Sequence, residues 1–129
     1  MNNIILTNMT LLKMGDKILV QERVKSDWPG LTLPGGHVKN DESLIDSAIR
    51  EFKEETGLVL LDITPKGYYE WLNNGVREIS FLFLATKYQG ALKSSDEGKV
   101  FFIKDNEILN YKLSQDFKEI YEVITGIRL

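Results

Sequence analysis

Gly36-His37-Val38-Lys39-Asn40-Asp41-Glu42-Ser43-Leu44-Ile45-Asp46-Ser47-Ala48-Ile49-Arg50-Glu51-Phe52-Lys53-Glu54-Glu55-Thr56-Gly57-Leu58 is the stretch on which the reading of this chain turns. From Ser43 to Thr56 the apolar residues Leu44, Ile45, Ala48, Ile49 and Phe52 recur at three- and four-residue spacing, which predicts one amphipathic helix. Asn40, Asp41 or Ser43 can serve as its N-cap, and Gly57 as its C-cap. Glu51, Glu54 and Glu55 stand at i, i+3 and i+4, so they are expected to share one face opposite the apolar stripe. Crowding like charges in this way costs about 0.2 to 0.5 kcal/mol per pair, and Lys53 is badly placed to relieve it. Clustered oxygen donors suit a hard divalent cation, Mg²⁺ or Mn²⁺, which takes a few carboxylates and completes its shell with water and phosphate oxygens. For an arbitrary Glu pair, a plain solvated helix face is the better reading about nine times in ten, so the surrounding residues must decide.

They do. Gly36, Glu42, Arg50, Glu51, Glu54, Glu55 and Gly57, with apolar Phe52 and Leu58, occupy every fixed position of the Nudix box, a glycine, five residues, a glutamate, seven residues and then Arg-Glu-apolar-X-Glu-Glu-X-Gly-apolar. The chain therefore resembles the Nudix hydrolases over Gly36–Leu58, and its flanking strands and final helix are similar to that fold as well. The resemblance implies that Glu51, Glu54 and Glu55 hold the metal and that Gly35 adds its backbone carbonyl. Glu42 and Arg50 then stand behind these ligands, Arg50 pairing with Glu54 one turn on or with Glu42 and fixing the carboxylate directions. Phosphoanhydride hydrolysis needs neutralised phosphate oxygens and an aligned water, and Glu51 or Glu54 can take the proton from that water. Glu51 is the preferred base and Glu55 the preferred chief ligand. A further carboxylate often comes from a later loop in this family. Glu97, in Asp96-Glu97-Gly98, is the candidate, with an ordinary acidic turn as the equal alternative.

Outward from the box, Ile4–Lys13 and Lys17–Arg23 are β-rich runs joined by Met14-Gly15-Asp16, a predicted hairpin. Leu31-Thr32-Leu33 is a short strand that Pro34-Gly35-Gly36 is expected to end, with a flexible loop beyond. Tyr68–Leu72 and Arg77–Lys87 flank Asn73-Asn74-Gly75, a second hairpin. Lys99–Ile103 reads as a strand, and 114–124 as a helix with Phe117, Ile120, Tyr121 and Ile124 on one face and Ser114 as cap. Strands, helix, strands, helix give an α/β (α+β) class and a Nudix-type α/β/α sandwich around a mixed β-sheet.

The 129 residues, 43% of them apolar and 27% charged, are expected to form a single domain spanning 1–129. With no cysteine, disulfides, thiolate chemistry and zinc fingers are excluded. A net charge of −3 argues against binding a nucleic acid polymer, yet admits a small anionic substrate bridged by a cation. Neither a membrane span nor an export signal is read, so the cytoplasm is the expected compartment. Resemblance to the family admits a monomer or a homodimer.

Beyond the box, Leu6-Thr7-Asn8-Met9, Trp28-Pro29-Gly30, Leu33-Pro34-Gly35-Gly36-His37-Val38 and Ser94-Ser95-Asp96-Glu97-Gly98 resemble MutT-like 8-oxo-dGTP diphosphatases. That likeness implies a nucleoside triphosphate, with or without an 8-oxo base, cut between the α and β phosphates to the monophosphate and pyrophosphate. Trp28, Trp71, Phe81, Phe83, Asn8 and Asn73 can offer a π face or an amide edge to a base, although Phe81 and Phe83 fit core packing better by about three to one. Gly35, Gly36 and His37 lie where phosphate would pass, while a lone histidine is more often simply a surface residue. Two alternatives stand beside this reading: a Nudix pyrophosphatase acting on ADP-ribose, NADH, dinucleotide polyphosphates or capped RNA, and a domain that senses nucleotides without cutting them.

Overall fold

The computed structural model describes residues 3–23 and 28–129. Strands β1 (Asn3–Met14) and β2 (Lys17–Arg23) form the first hairpin around Gly15, whose φ of 64° is the left-handed value such a turn needs. They pair only beside that turn, at Lys13 with Ile18 and Met14 with Lys17, and then splay apart. Each takes new partners. β1 gains β4 (Gly35–His37) and, in parallel over Asn3 to Leu12, β7 (Val76–Ala85). β2 gains β3 (Gly30–Thr32) and β9 (Gly98–Lys104). β6 (Thr64–Asn73) closes the far edge beside β7, so the sheet is mixed and runs β3-β2-β1-β7-β6. The opening between the diverging β1 and β2 is where the cleft described below is set.

Helix α1 (Leu44–Thr56) covers one face of the sheet and α2 (Phe117–Thr125) the other, giving the expected α/β/α sandwich. Under α1, Phe52 packs on Leu12, Leu19, Leu58 and Ala85; under α2, Phe117, Ile120, Tyr121 and Ile124 pack on Leu11, Val20 and Leu82. Alternate residues of β1 and β2 thus feed opposite cores, as a period of two requires. Phe52 is 1% exposed, so truncation to alanine should cost about 3 to 5 kcal/mol.

The second hairpin turns on Asn74 and Gly75, both left-handed at φ 53° and 79°, the pattern of a type I′ turn. Two expectations need correction. The Pro34-Gly35-Gly36 segment does not lead into a flexible loop, because Gly35 and Gly36 pair with Met9 and Asn8 as β4. A Cβ at Gly35 would run into the Asn8 carbonyl, so the glycine serves close strand approach rather than looseness. Nor does Ser114 cap the last helix. Its N–H donates to the Leu31 carbonyl at 3.0 Å, Leu31 donates to Lys112 at 2.8 Å, and the helix starts only at Phe117, after Asp116. Local periodicity could not reveal that 112–114 are tied to β3. The short pair β5 (Val59–Leu60) with β8 (Tyr88–Gln89) and a 3-10 turn at Asp105–Asn110 likewise carried no periodic signal. Among the described residues, no helix is long and apolar enough to cross a membrane.

Candidate active site

Ser43, extended at ψ 161°, accepts the Asp46 amide on its hydroxyl at 3.0 Å and starts α1, while Gly57 at φ 79° ends it with its N–H on the Lys53 carbonyl. Ser47 fastens the helix to the sheet, its hydroxyl donating to the Leu44 carbonyl and accepting the Asn8 side-chain amide at 3.1 Å. These contacts fix the rotation of α1 and so the direction of every acid on it.

Arg50 organises those acids. Its Nε and one terminal nitrogen grip Glu42 at 3.0 and 2.6 Å, and that same nitrogen also donates to the His37 carbonyl at 3.0 Å. The other terminal nitrogen donates to Glu51 at 2.9 Å and Glu54 at 3.2 Å. All five N–H groups of the guanidinium are thereby used. The sequence offered Glu54 or Glu42 as alternative partners; both are engaged, together with Glu51. The like-charge crowding that Lys53 could not relieve is thus relieved by Arg50.

The acids respond in opposite ways. The bidentate Arg50 bond, with the Lys39 N–H behind it, holds Glu42 down to about 2. Burial pushes the Glu51 carboxyl up, against the pull of Arg50. Burial also drives Glu55 up to about 7, helped by the negative charges of Glu51 and Glu97 and opposed by hydrogen bonds from Gln21 and the Gly35 backbone. Glu55 is only 7% exposed, and Gln21 Nε2 donates to it at 3.0 Å. Glu51 lies so close to Gly36 that a Cβ there would overlap its carboxylate, which is a physical reason for glycine at that position.

Glu51, Glu55 and Glu97 line one open cleft of about 1160 Å³. Gly35, Gly36, His37, Asn8, Trp28, Trp71 and Asn73 line it too, so most of the sequence-predicted residues meet in one place. Glu42, Arg50 and Glu54 are not among its lining residues; Glu54 sits at the exposed rim, held by Arg50. Glu51 and Glu54 nevertheless stay together on the helix, bonded to the same Arg50 nitrogen. Among the described residues no three His, Asp or Glu side chains gather closely enough to cage an ion unaided. Phe83 is buried in the sheet, in keeping with its core reading, and neither Phe81 nor Phe83 lines the cleft.

At the other end the cleft is aromatic. Trp28 meets Trp71 edge to face at 5.7 Å, and Tyr69 meets Trp71 at 5.1 Å. Trp71 Nε1 donates to the Asp116 carboxylate at 2.7 Å. Asp116 has φ 67°, a left-handed backbone that costs a non-glycine residue about 1 to 2 kcal/mol. Sequence reasoning missed Gln21, Tyr69 and Asp116. Gln21 alone left a trace, as the polar residue ending the apolar run Ile18-Leu19-Val20.

Comparison with known proteins agrees with this architecture. A NUDIX domain model matches residues 4–123. The uncharacterized Nudix hydrolase YvcI of Bacillus subtilis is 32% identical over 110 residues, which span 81% of this chain and 68% of that protein. An ADP-ribose pyrophosphatase of Methanocaldococcus jannaschii is 33% identical over 92 residues, 69% of this chain and 54% of the relative. Among solved structures, a MutT protein from Bacillus halodurans is similar at a TM-score of 0.81 and 26% identity, over 97% of this chain and 85% of the other.

Proposed function

The chain belongs to the Nudix hydrolase family, and from that premise we propose that it converts a nucleoside triphosphate, with 8-oxo-dGTP the leading candidate, to the monophosphate and pyrophosphate. One observation carries this reading: a single cleft runs from the half-buried Glu51 and buried Glu55 carboxylates to the aromatic group of Trp28, Trp71 and Tyr69. A polyphosphate with a flat aromatic base has those two kinds of end.

The acidic end fits a divalent cation. Its donors are all oxygen, and burial raises the Glu51 and Glu55 carboxyls, a cost that a bound cation would offset. Glu51, Glu54, Glu55, the Gly35 carbonyl and Glu97 are the groups we assign to hold Mg²⁺ or Mn²⁺. When bound, such a cation neutralises phosphate oxygens and lowers the barrier to attack by water. Gln21 holds Glu55 in direction, and Arg50 holds Glu51 and Glu54 from behind. Glu51 takes the proton from the attacking water, for which its burial-raised basicity suits it better than Glu42. Oxygen from that water adds to phosphorus at the α–β bridge, and pyrophosphate leaves with the bridging electron pair. His37 and the Gly35–Gly36 backbone border the phosphate path, and Trp28 and Trp71 receive the base.

Similarity to an ADP-ribose pyrophosphatase favours one second reading, the same chemistry on a nucleoside diphosphate linked to a sugar. The deciding assay separates and quantifies the nucleotide products, and measures pyrophosphate beside them, with Mg²⁺, with Mn²⁺ and with chelator. Its substrates are canonical and 8-oxo nucleoside triphosphates, ADP-ribose, NADH and diadenosine polyphosphates. Metal-dependent pyrophosphate release favouring 8-oxo-dGTP is the expected result. Turnover of ADP-ribose alone would replace the substrate, and binding without any turnover would make the domain a nucleotide sensor.

A further inference from the structure

Asp116 occupies the N-cap position of α2, yet its side chain makes no capping hydrogen bond to the helix. Aspartate at that place normally stabilises a helix by accepting a free amide. Here the carboxylate turns to the sheet instead and accepts the Trp71 indole N–H at 2.7 Å, with its backbone left-handed at φ 67°. Tyr69 lies beside the same carboxylate, whose negative charge adds to burial in raising the tyrosine hydroxyl. Tyr69 touches Trp71, and Trp71 touches Trp28. A single strained acid is therefore joined to a row of three rings on the cleft wall.

We propose that Asp116 is a positioning residue for nucleobase recognition: by holding the Trp71 indole, it sets the angle of the Trp28–Trp71 platform on which a base stacks. This rests on the reading that the nucleoside lies at the aromatic end of the cleft. Asp116 does not itself line the cleft, so it acts through Trp71. Strained backbone at a residue with no helix-capping duty is a recurrent mark of a functional constraint, and the indole bond supplies that constraint here.

The chain contains two tryptophans, Trp28 and Trp71, and both belong to this platform. Intrinsic tryptophan emission therefore reports on it and on nothing else. The experiment titrates the full chain with a non-hydrolysable nucleoside triphosphate analogue and, separately, with inorganic tripolyphosphate, following emission, and measures KM and kcat beside it. Wild type should respond to the nucleotide and not to tripolyphosphate. Asp116→Gly suits the left-handed backbone and should fold, while raising the nucleotide Kd and KM about tenfold and leaving kcat within about twofold. Asp116→Asn keeps an oxygen for the indole and should return KM to within about threefold of wild type.

Trp71→Phe removes the N–H but keeps a ring, and serves also if Asp116→Gly does not fold. Its loss of affinity should be at least that of Asp116→Gly, and the double variant should lose clearly less than the sum of the two, because the indole bond is broken in both. Unchanged Kd in Asp116→Gly, or losses that simply add in the double variant, would overturn the positioning role. Wild-type turnover of nucleotides with silent emission would instead overturn the placement of the base, so the two failures are distinguishable.

Discussion

The two ends of the cleft are built by different means. Most of the acidic end comes from one continuous stretch, in which β4, the Glu42 turn and α1 bring Gly35, Gly36, Arg50, Glu51 and Glu55 together within 21 positions, with Gln21 and Glu97 added from β2 and from the residue before β9. Its geometry is held by charge-assisted bonds from a saturated guanidinium. The aromatic end is assembled from Trp28, from Tyr69 and Trp71 on β6, and from Asp116 before α2, joined by ring contacts and one indole bond. On the proposed function, a local device serves the bond that is cut, while a distributed one serves the part of the substrate that varies. Chemistry and specificity should therefore be separable by mutation.

The largest effect is expected from Glu55→Gln. It removes charge from the acidic end without changing shape, and turnover should fall by about three powers of ten or more, with a melting temperature close to wild type. Near-normal activity in the folded variant would break the division of labour at its root. Next comes Arg50→Lys, since a lone ammonium cannot span the acceptors of Glu42, Glu51, Glu54 and the His37 carbonyl. Turnover should drop about 10- to 100-fold across all nucleotides alike, as for lost support behind metal ligands. A loss that depended on the base would blur the boundary between the two ends.

What the sequence revealed follows the same division. The helix, its Ser43 and Gly57 caps and the four acids of the box were legible because their relations are local and periodic. Arg50 was legible only as a choice of partners, since spacing shows reach and not how many acceptors one guanidinium can serve. Gln21 and Asp116 were not legible in their roles, because each depends on a partner 34 or 45 positions away. β4 was hidden for another reason: two glycines after a proline look like a loop until β1 is placed beside them. Ser114 failed as a cap because the helix begins only at Phe117, after Asp116, while the Ser114 backbone is tied back to Leu31 of β3 by a tertiary bond that local pattern does not show.

At the aromatic end, Trp28→Ala should raise KM about tenfold and change kcat little, the pattern of lost ground-state binding. Steady-state kinetics on the preferred nucleotide tests this. An unchanged KM would remove Trp28 from the platform and leave Trp71 and Tyr69 to carry it, whereas a fall confined to kcat would mean that the two ends are coupled.

The smallest effect concerns stability and sharpens the account of the acidic end. Glu42 is held at about 2, below its ordinary 4.5, because Arg50 and the Lys39 amide bond its charged form. A carboxyl depressed on folding contributes stability that is fully present above the unfolded value and is lost as pH falls toward the folded one. Glu42→Gln should therefore melt a few degrees below wild type near pH 7, and the gap should close as pH is lowered from about 4.5 to about 2. Thermal melts of both proteins across that range provide the check. A gap that stayed constant with pH would show that Glu42 supports α1 through shape alone, and the charge-based rigidity contrasted here with the aromatic end would then rest on Glu51 and Glu54.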